Sequence, residues 1–414
     1  MNVSPSFSPS IKLMKTYFLL SGFFYLFSML ALFFINPHAD ISNFNLIGWV
    51  HLYMLGFVMM SIFSAMAQLG PIVVETKHYY VNVFKYIWIF HIIGLILMLV
   101  GFYINIEFLM YGGFFVLIAM SIYAIEFLLT LKNTKRKTSI TKAMKMSNFF
   151  LLLGIISGIL MALGFNGFID LDPKTILSTH TFGLVVGFVI LLIMGISIIL
   201  IPMFGLAKRI SDNEFSNSFI TLSFGVIVMM LSPLFLTNYL LNTAYFITII
   251  AIFLYLYQLF KMTSSRAKIV HDIWARSMYV GFTSFIISFA LLMSYLYNEN
   301  EVTLKLGMWI MFIGFFGFLI IGNFYKIIPF LVWFQVYSPL IEERPVPMLH
   351  ELLPKKLADI QWVFSTIGLI ISSFSMIIAN EKIFYLGAFM LSIGALLFVI
   401  IINKILKINL LKSF

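Results

Sequence analysis

Long apolar stretches recur along the whole chain, and they restrict its fold more than any other feature. Twelve of them have the roughly 20 residues that a helix needs to cross a hydrocarbon core about 30 Å thick. They run approximately over 16–35, 47–70, 84–104, 107–131, 146–168, 177–203, 217–236, 242–261, 277–297, 303–328, 359–379 and 383–405. Only 10% of the 414 residues are charged, too few to cover a water-soluble surface. The sequence therefore predicts an all-α polytopic membrane protein with twelve transmembrane helices.

Basic residues are concentrated in alternate loops, and this predicts the orientation of the helices. With the N-terminus inside, all of the 26 lysines and arginines except Lys174, Lys305 and Lys382 fall on the inner side. Because cytoplasmic loops carry an excess of basic residues, we expect an N-in, C-in protein of the bacterial inner (plasma) membrane. The net charge of +10 then reflects topology and contact with the lipid bilayer, and no nucleic-acid partner is expected.

Several classes of protein and site are excluded by what the sequence lacks. It has no cysteine, which excludes disulfides, iron–sulfur clusters and a covalently attached haem. It also has no P-loop, His-Glu-x-x-His or Gly-x-Ser-x-Gly motif, so an ATPase, zinc protease or serine hydrolase is not expected. The N-terminus shows no cleavage pattern of a signal peptide, so the first stretch is expected to remain as a span.

One spacing pattern occurs three times, in the second, sixth and tenth stretches. In each, a Gly-Phe pair lies fifteen residues before a proline, and a small residue lies seven before it. The sets are Gly56-Phe57, Ser64, Pro71; Gly187-Phe188, Gly195, Pro202; and Gly314-Phe315, Gly322, Pro329. Coincidence in a chain rich in Gly and Phe is the alternative. The pattern predicts a single membrane domain over 1–414 with three four-helix repeats, approximately 16–131, 146–261 and 277–405.

Twelve helices in three groups of four resemble haem-copper oxidase subunit I. The second stretch is also similar to the opening motif of NnrS-type membrane proteins, His51-Leu-Tyr-Met-Leu-Gly56 with Pro71 further on. The resemblance covers most of the chain in topology, but in residues only the three segments with the repeated pattern. It implies a pseudo-threefold arrangement of the helices, haem or copper as cofactor, and a role in respiration or in handling nitric oxide.

The seven histidines are the candidate metal ligands, and their depth separates them. One group is expected in loops, with solvated or interfacial side chains: His38 on the outer side and His78, His271 and His350 on the inner side. The other three, His51, His91 and His180, lie within predicted helices. An ionisable residue in a membrane span needs a polar partner there, so these three are functional candidates.

His51 and His180 are expected at similar depth, on the outer side of corresponding helices in the first two repeats. Asp172 as N-cap and Pro173 at the first helical position place His180 about 10 Å below the helix start. Neutral imidazoles at that level suit haem iron or a copper ion, while hydrogen bonds to carbonyl groups or water are the alternative. For His91, in the inner half of its stretch, the alternative is an interhelical hydrogen bond. Met203 is the methionine that we consider as a further copper ligand.

Departures from the oxidase pattern limit what the resemblance implies. In the oxidases, the second and tenth spans each give a histidine to the low-spin haem, and spans 6, 7 and 10 hold the binuclear site. Stretches 217–236 and 303–328 have no histidine here, and the matching position of the tenth stretch falls at Gly307 to Trp309. Oxygen reduction is therefore not expected. At most one haem b, or one copper ion, is expected on His51 with His180, His91 or a methionine.

The expected function is haem or copper binding, in electron transfer or in nitric oxide or metal handling, with other respiratory subunits as candidate partners. Whether the protein is an enzyme is not decided by the sequence; an oxidoreductase is the class expected if it is. One alternative is a transporter or channel for a small neutral or apolar substrate, without a redox cofactor. A structural subunit that has the fold and no ligand is another.

Two smaller features have competing interpretations. Glu75, Glu126 and Lys326 lie near the inner ends of predicted helices, where a proton path is one interpretation. Long side chains that reach the interface at modest cost are the interpretation we favour. The small-xxx-small run Gly154-Ile-Ile-Ser-Gly158 is expected to serve helix packing only.

Overall fold

The computed structural model describes residues 8–407 except positions 136, 236–237 and 269, and all regular structure within these residues is helical. Eleven of the described helices are long and apolar enough to cross a membrane, and a twelfth apolar helix has 17 residues. The chain is therefore an integral, multi-pass membrane protein. The two ends of the predicted domain, 1–7 and 408–414, and the last position of the predicted seventh span, 236, lie outside the described residues.

The helices follow one another with short connections. They are α1 Ile11–Phe34, α2 Phe44–Val74, α3 Ile87–Tyr103, α4 Phe108–Lys132, α5 Ser139–Phe165, α6 Pro173–Gly205, α7 Asp212–Phe235, α8 Tyr239–Ser264, α9 Ile273–Asn298, α10 Glu301–Leu340, α11 Lys355–Ile377 and α12 Glu381–Lys407. Several helices exceed their predicted bounds, above all α10 with 40 residues. Apolar residues define only the lipid-facing part of such a helix, whereas its backbone hydrogen bonds continue through polar turns at both ends.

Side-chain caps fix the beginnings of the three helices that carry the repeated pattern. The side chain of Asn43 accepts hydrogen bonds from the backbone N–H groups of Asn45 and Leu46 at the start of α2. Asp172 accepts from Lys174 N at the start of α6, and Asn300 accepts from Val302 N at the start of α10. Each cap satisfies a backbone donor that has no partner within the helix. The predicted cap at Asp172, with Pro173 in the first turn, is confirmed.

The repeated pattern coincides with an unusual backbone conformation. The segments Leu52–Met59, Phe182–Ile190 and Ile310–Gly317 are π-helical, and they contain the Gly-Phe pairs of α2, α6 and α10. Each is followed by a 15-residue α-helical part that contains the repeated proline. A π-helical turn closes i to i+5 hydrogen bonds, is rare, and is frequent at functional sites. The three helices therefore share one local structure as well as one spacing.

The glycines of these π-helical segments allow close contact with the helix that precedes each of them. A Cβ atom at any of the three would lie 2.9 Å or less from the Cβ atom of a residue on that helix. The pairs are Gly56 with Phe24, Gly187 with Phe150 and Gly314 with Ser284. Neighbouring helices in membranes associate through such small-residue contacts.

The described chain forms two compact units. The central unit runs from Leu69 to Val270 and contains the last residues of α2 and helices α3 to α8. The terminal unit combines Pro9–Gln68 with the chain from His271 onward, and contains α1, most of α2, and α9 to α12. The predicted second repeat lies wholly in the central unit and the predicted third repeat wholly in the terminal unit, whereas the first repeat is divided between the two.

Consecutive helices pack in the same pairs throughout. In the central unit α3 packs against α4, α5 against α6, and α7 against α8, and α4 also contacts α5. In the terminal unit α1 packs against α2, α9 against α10, and α11 against α12, and α12 also contacts α1. Each predicted repeat thus consists of two packed pairs.

Candidate functional site

His51 lies in the terminal unit, immediately before the π-helical segment of α2. Its Nδ1 atom is 2.8 Å from the carbonyl oxygen of Ile47, one turn earlier in the same helix. Because a carbonyl oxygen only accepts hydrogen bonds, Nδ1 carries the proton and donates. In the neutral ring Nε2 then carries the lone pair, which is the tautomer that ligates a metal.

His180 lies in the central unit, two residues before the π-helical segment of α6. Its Nδ1 atom is 2.8 Å from the carbonyl oxygen of Gly154, on α5. That oxygen also accepts a hydrogen bond of 2.8 Å from the hydroxyl of Ser157. The imidazole of His180 is therefore held by a neighbouring helix, and its tautomer is the same as that of His51.

Gly158 provides the space for the ring of His180. A Cβ atom at this position would lie 2.6 Å from Cε1 and 2.8 Å from Nδ1 of His180. The prediction that Gly154 and Gly158 serve helix packing only is therefore incomplete. One glycine offers the carbonyl that orients the imidazole, and the other leaves room for it.

The two histidines occupy the same place in their helices. His51 follows Phe44, the first residue of α2, by seven positions, and His180 follows Pro173, the first residue of α6, by seven positions. At 1.5 Å per residue both lie about 10 Å from the start of the helix. Each histidine thus lies about two turns into its own helix.

His91 and Met203 lie elsewhere. His91 is completely buried one turn after the start of α3, which packs against α4. Met203 is near the end of α6 and its side chain is 45% exposed. It follows His180 by 23 positions on the same helix, on the order of 30 Å at the α-helical rise. His180 and Met203 therefore cannot bind one ion.

Aromatic rings fill the terminal unit at the position of α10 that matches His51. Trp309 lies directly before the π-helical segment of α10, and its ring stacks on Trp49 with 5.6 Å between centroids. Tyr53 stacks on Trp49 at 5.7 Å and donates a hydrogen bond of 2.7 Å to the carbonyl oxygen of Phe312. All four side chains are at most 6% exposed. These four side chains therefore pack against one another within the terminal unit.

The loop histidines differ from one another in exposure. His271 and His350 are exposed, as expected, and His38 is half-buried. The expectation for His78 was wrong: its side chain is 2% exposed, and its Nδ1 lies 2.9 Å from Oε1 of Glu126, which is equally buried. The segment 75–86 folds back over the end of α4, and this covers both groups.

Lys326 has a nearby acidic partner. Its Nζ atom lies 2.6 Å from Oδ2 of Asp272, which precedes α9, and both side chains are about one-third exposed. Partial exposure agrees with a lysine that reaches toward the interface, the interpretation favoured from the sequence.

Within residues 8–407, outside the four undescribed positions, no three side chains of His, Asp or Glu lie together as a metal site. Comparison of the sequence with protein-family models and with curated proteins gives no match.

Proposed function

We propose that the protein is a haem- or copper-binding integral membrane protein without oxygen reductase activity, and that His51 and His180 are metal ligands. One observation carries the proposal. Both histidines lie seven positions into a helix, at the edge of a π-helical segment, with Nδ1 donating to a backbone carbonyl. Metal-ligating histidines generally donate their other ring N–H in this way, because it fixes the tautomer and the ring orientation.

The donor chemistry of each imidazole fits haem iron or copper. A haem needs fewer ligands from this chain than a free copper ion does, because the porphyrin supplies four ligands and one histidine can complete the site. When bound, either group would supply one-electron transfer. The chain's own contribution is to hold each Nδ1 proton on a carbonyl, that of Ile47 or that of Gly154, and to surround the rings with apolar helices.

The proposal does not include the low-spin haem of the oxidases. That haem takes its ligands from the second and tenth spans, and here Trp309 occupies the matching position of α10, stacked on Trp49. Helices α7 and α10 contain no histidine, so the residues of a binuclear site are also missing. These two features are why the proposal stops short of oxygen reduction.

We also propose twelve spans in a pseudo-threefold arrangement, with both termini inside the bacterial inner membrane. The 17 residues of α3 are at the lower limit for a spanning helix. The shared π-helical segments and the common pairing of consecutive helices support three four-helix repeats. The distribution of lysine and arginine supports the orientation.

An absorption spectrum of the detergent-purified protein, oxidised and reduced, with metal analysis of the same sample, tests the proposal. We expect either a sharp α-band on reduction with stoichiometric iron, or stoichiometric copper. His51→Ala and His180→Ala should each lower the bound metal, and the double variant should lose it while its helical circular dichroism is unchanged. His271→Ala, at an exposed loop position, is the matched control.

Full haem and copper content in the double variant would contradict the ligand assignment. Protein that contains neither metal, although produced with ample haem and copper, would contradict cofactor binding itself. Transport of a small neutral or apolar solute would then be the function to measure, by uptake into liposomes that contain the cofactor-free protein.

Gly158→Ala tests whether the orientation of His180 matters. The added methyl group would lie 2.6 Å from Cε1 of His180, so the ring must leave the Gly154 carbonyl. We expect metal affinity at His180 to fall about 10–100-fold, as for loss of an orienting partner. Gly195→Ala is the control, because its Cβ would have no neighbour closer than 3.8 Å. Equal metal affinity in the two variants would refute this role of Gly158.

A further inference from the structure

A buried acid–imidazole pair lies in the central unit, where α4 ends. Glu126 is on α4, six residues before Lys132, and His78 is in the segment that connects α2 to α3. Both side chains are 2% exposed. Phe84, itself completely buried, packs edge-on against the ring of His78 with 5.2 Å between centroids. The connecting segment thus folds over the pair.

The two oxygens of Glu126 have very different surroundings. Oε1 accepts three hydrogen bonds: from Nδ1 of His78 at 2.9 Å, from the hydroxyl of Thr130 at 2.8 Å and from the backbone N–H of Tyr80 at 3.4 Å. Oε2 is equally buried but has no hydrogen-bond partner among the described residues. A buried polar atom without a partner is rare in native proteins. Oε2 is therefore the oxygen at which a proton can bind without replacing an existing hydrogen bond.

Charge makes a proton at this atom favourable. With His78 neutral and Glu126 ionised, the pair carries one net negative charge, and burying an uncompensated charge costs several kcal/mol. A proton on Oε2 removes that charge. The three hydrogen bonds to Oε1 are unaffected, because a carboxylic acid still accepts at its carbonyl oxygen.

Among the described residues, His78 is the ion-pair partner of Glu126. Tyr123, one turn earlier on α4, is close enough to interact with the carboxyl group electrostatically, but it brings no positive charge. The other titratable groups of the elements packed there are Glu75, Lys77, Tyr79, Tyr80, Lys85 and Tyr86 in the connecting segment, His91 and Tyr103 on α3, Tyr111 and Lys132 on α4, and Lys142 and Lys145 on α5. All of these lysines have exposed side chains, and His91 is buried one turn into α3.

We propose that Glu126 and His78 form a proton-binding site, in which Oε2 of Glu126 takes up one proton from water and releases it again. His78 and Thr130 position the carboxyl group through Oε1. An ionisable group inside a membrane span is expected to serve a function with a named partner, and here the partner is the imidazole. The site does not depend on haem or copper binding.

Infrared difference spectroscopy of the purified protein in lipid, between acidic and alkaline buffer, tests this site. On acidification we expect a C=O stretching band of a protonated carboxylic acid, which shifts in D₂O. Glu126→Gln should abolish this band, and Glu342→Gln, at an exposed loop position, should retain it. His78→Gln keeps a donor for Oε1 but cannot become positively charged. It should retain the band, because the carboxyl group of Glu126 is unchanged.

An identical pH-difference spectrum for the wild type and Glu126→Gln would overturn the proposal. So would a signal from imidazolium alone, which would place the proton on His78. If Glu126→Gln does not fold, Glu126→Asp keeps a carboxyl group and must shift the frequency of the band. An unshifted band in Glu126→Asp would then refute the site.

Discussion

Trp309→Ala is expected to destabilise the protein by about 3–5 kcal/mol, the range for truncating a buried aromatic side chain. The ring of Trp309 stacks on Trp49 at 5.6 Å, contacts Phe384 at 5.4 Å, and donates a hydrogen bond of 3.1 Å to Ser372. Within a bilayer, helices are held together by such packing, because lipid offers no hydrophobic driving force between them. The measurement is thermal unfolding in detergent.

Two variants serve as controls for Trp309→Ala. Trp309→Phe keeps a ring against Trp49 and should recover most of the lost stability. Tyr297→Ala removes an aromatic side chain that is 94% exposed, and it should leave the unfolding temperature unchanged. If Trp309→Ala unfolds at the same temperature as Tyr297→Ala, the aromatic stack contributes no packing energy.

Gly112→Ala should have the second largest effect, because it forces apart the two helices α3 and α4. A Cβ atom at Gly112 would lie 2.6 Å from the backbone nitrogen of Met98 and 2.8 Å from the carbonyl oxygen of Gly94. Backbone atoms cannot rotate out of the way, so we expect a loss near the upper end of the roughly 1–3 kcal/mol typical of overpacking. Thermal unfolding of the purified variant gives the value.

The adjacent residue supplies a matched control for Gly112→Ala. A Cβ atom at Gly113 would meet only the side chain of Ile159, at 3.3 Å. Gly113→Ala should therefore cost much less than Gly112→Ala, because the Ile159 side chain has to give way by only a few tenths of an ångström. Equal unfolding temperatures for the two variants would mean that α3 and α4 do not need this close approach.

Much of the fold could be predicted because long apolar stretches and caps are local features. The helix starts at Asn43 and Asp172 follow from side chains that bond to the next turn of the same helix. The π-helical segments could not be predicted from composition. Their positions nevertheless coincide with the Gly-Phe pairs, such as Gly56-Phe57, that the spacing had singled out. The spacing of residues shows which segments of the chain are alike. It does not show whether their backbone hydrogen bonds are α-helical or π-helical.

Of the candidate site, the sequence predicted only the histidines that lie within helices. The partner of His180 is Gly154, 26 residues earlier on another helix, and no local signal connects them. His78 was missed for a similar reason, because Glu126 is 48 residues away. The available signal was Glu126 itself: a single acidic residue in an apolar helix requires a polar partner, but the sequence does not say which one.

The π-helical segments also separate, along one helix, the part that directs the histidine from the part that packs around the proline. Each residue turns an α-helix by about 100°, so a turn with one extra residue rotates everything before it relative to everything after it. His51 precedes such a turn, and Pro71 follows it. Deleting one residue within 52–59 would swing the imidazole toward a different neighbour while the packing around the proline stayed in register. The direction of the side chains that precede the π-helical turn can thus be changed by a change in chain length alone.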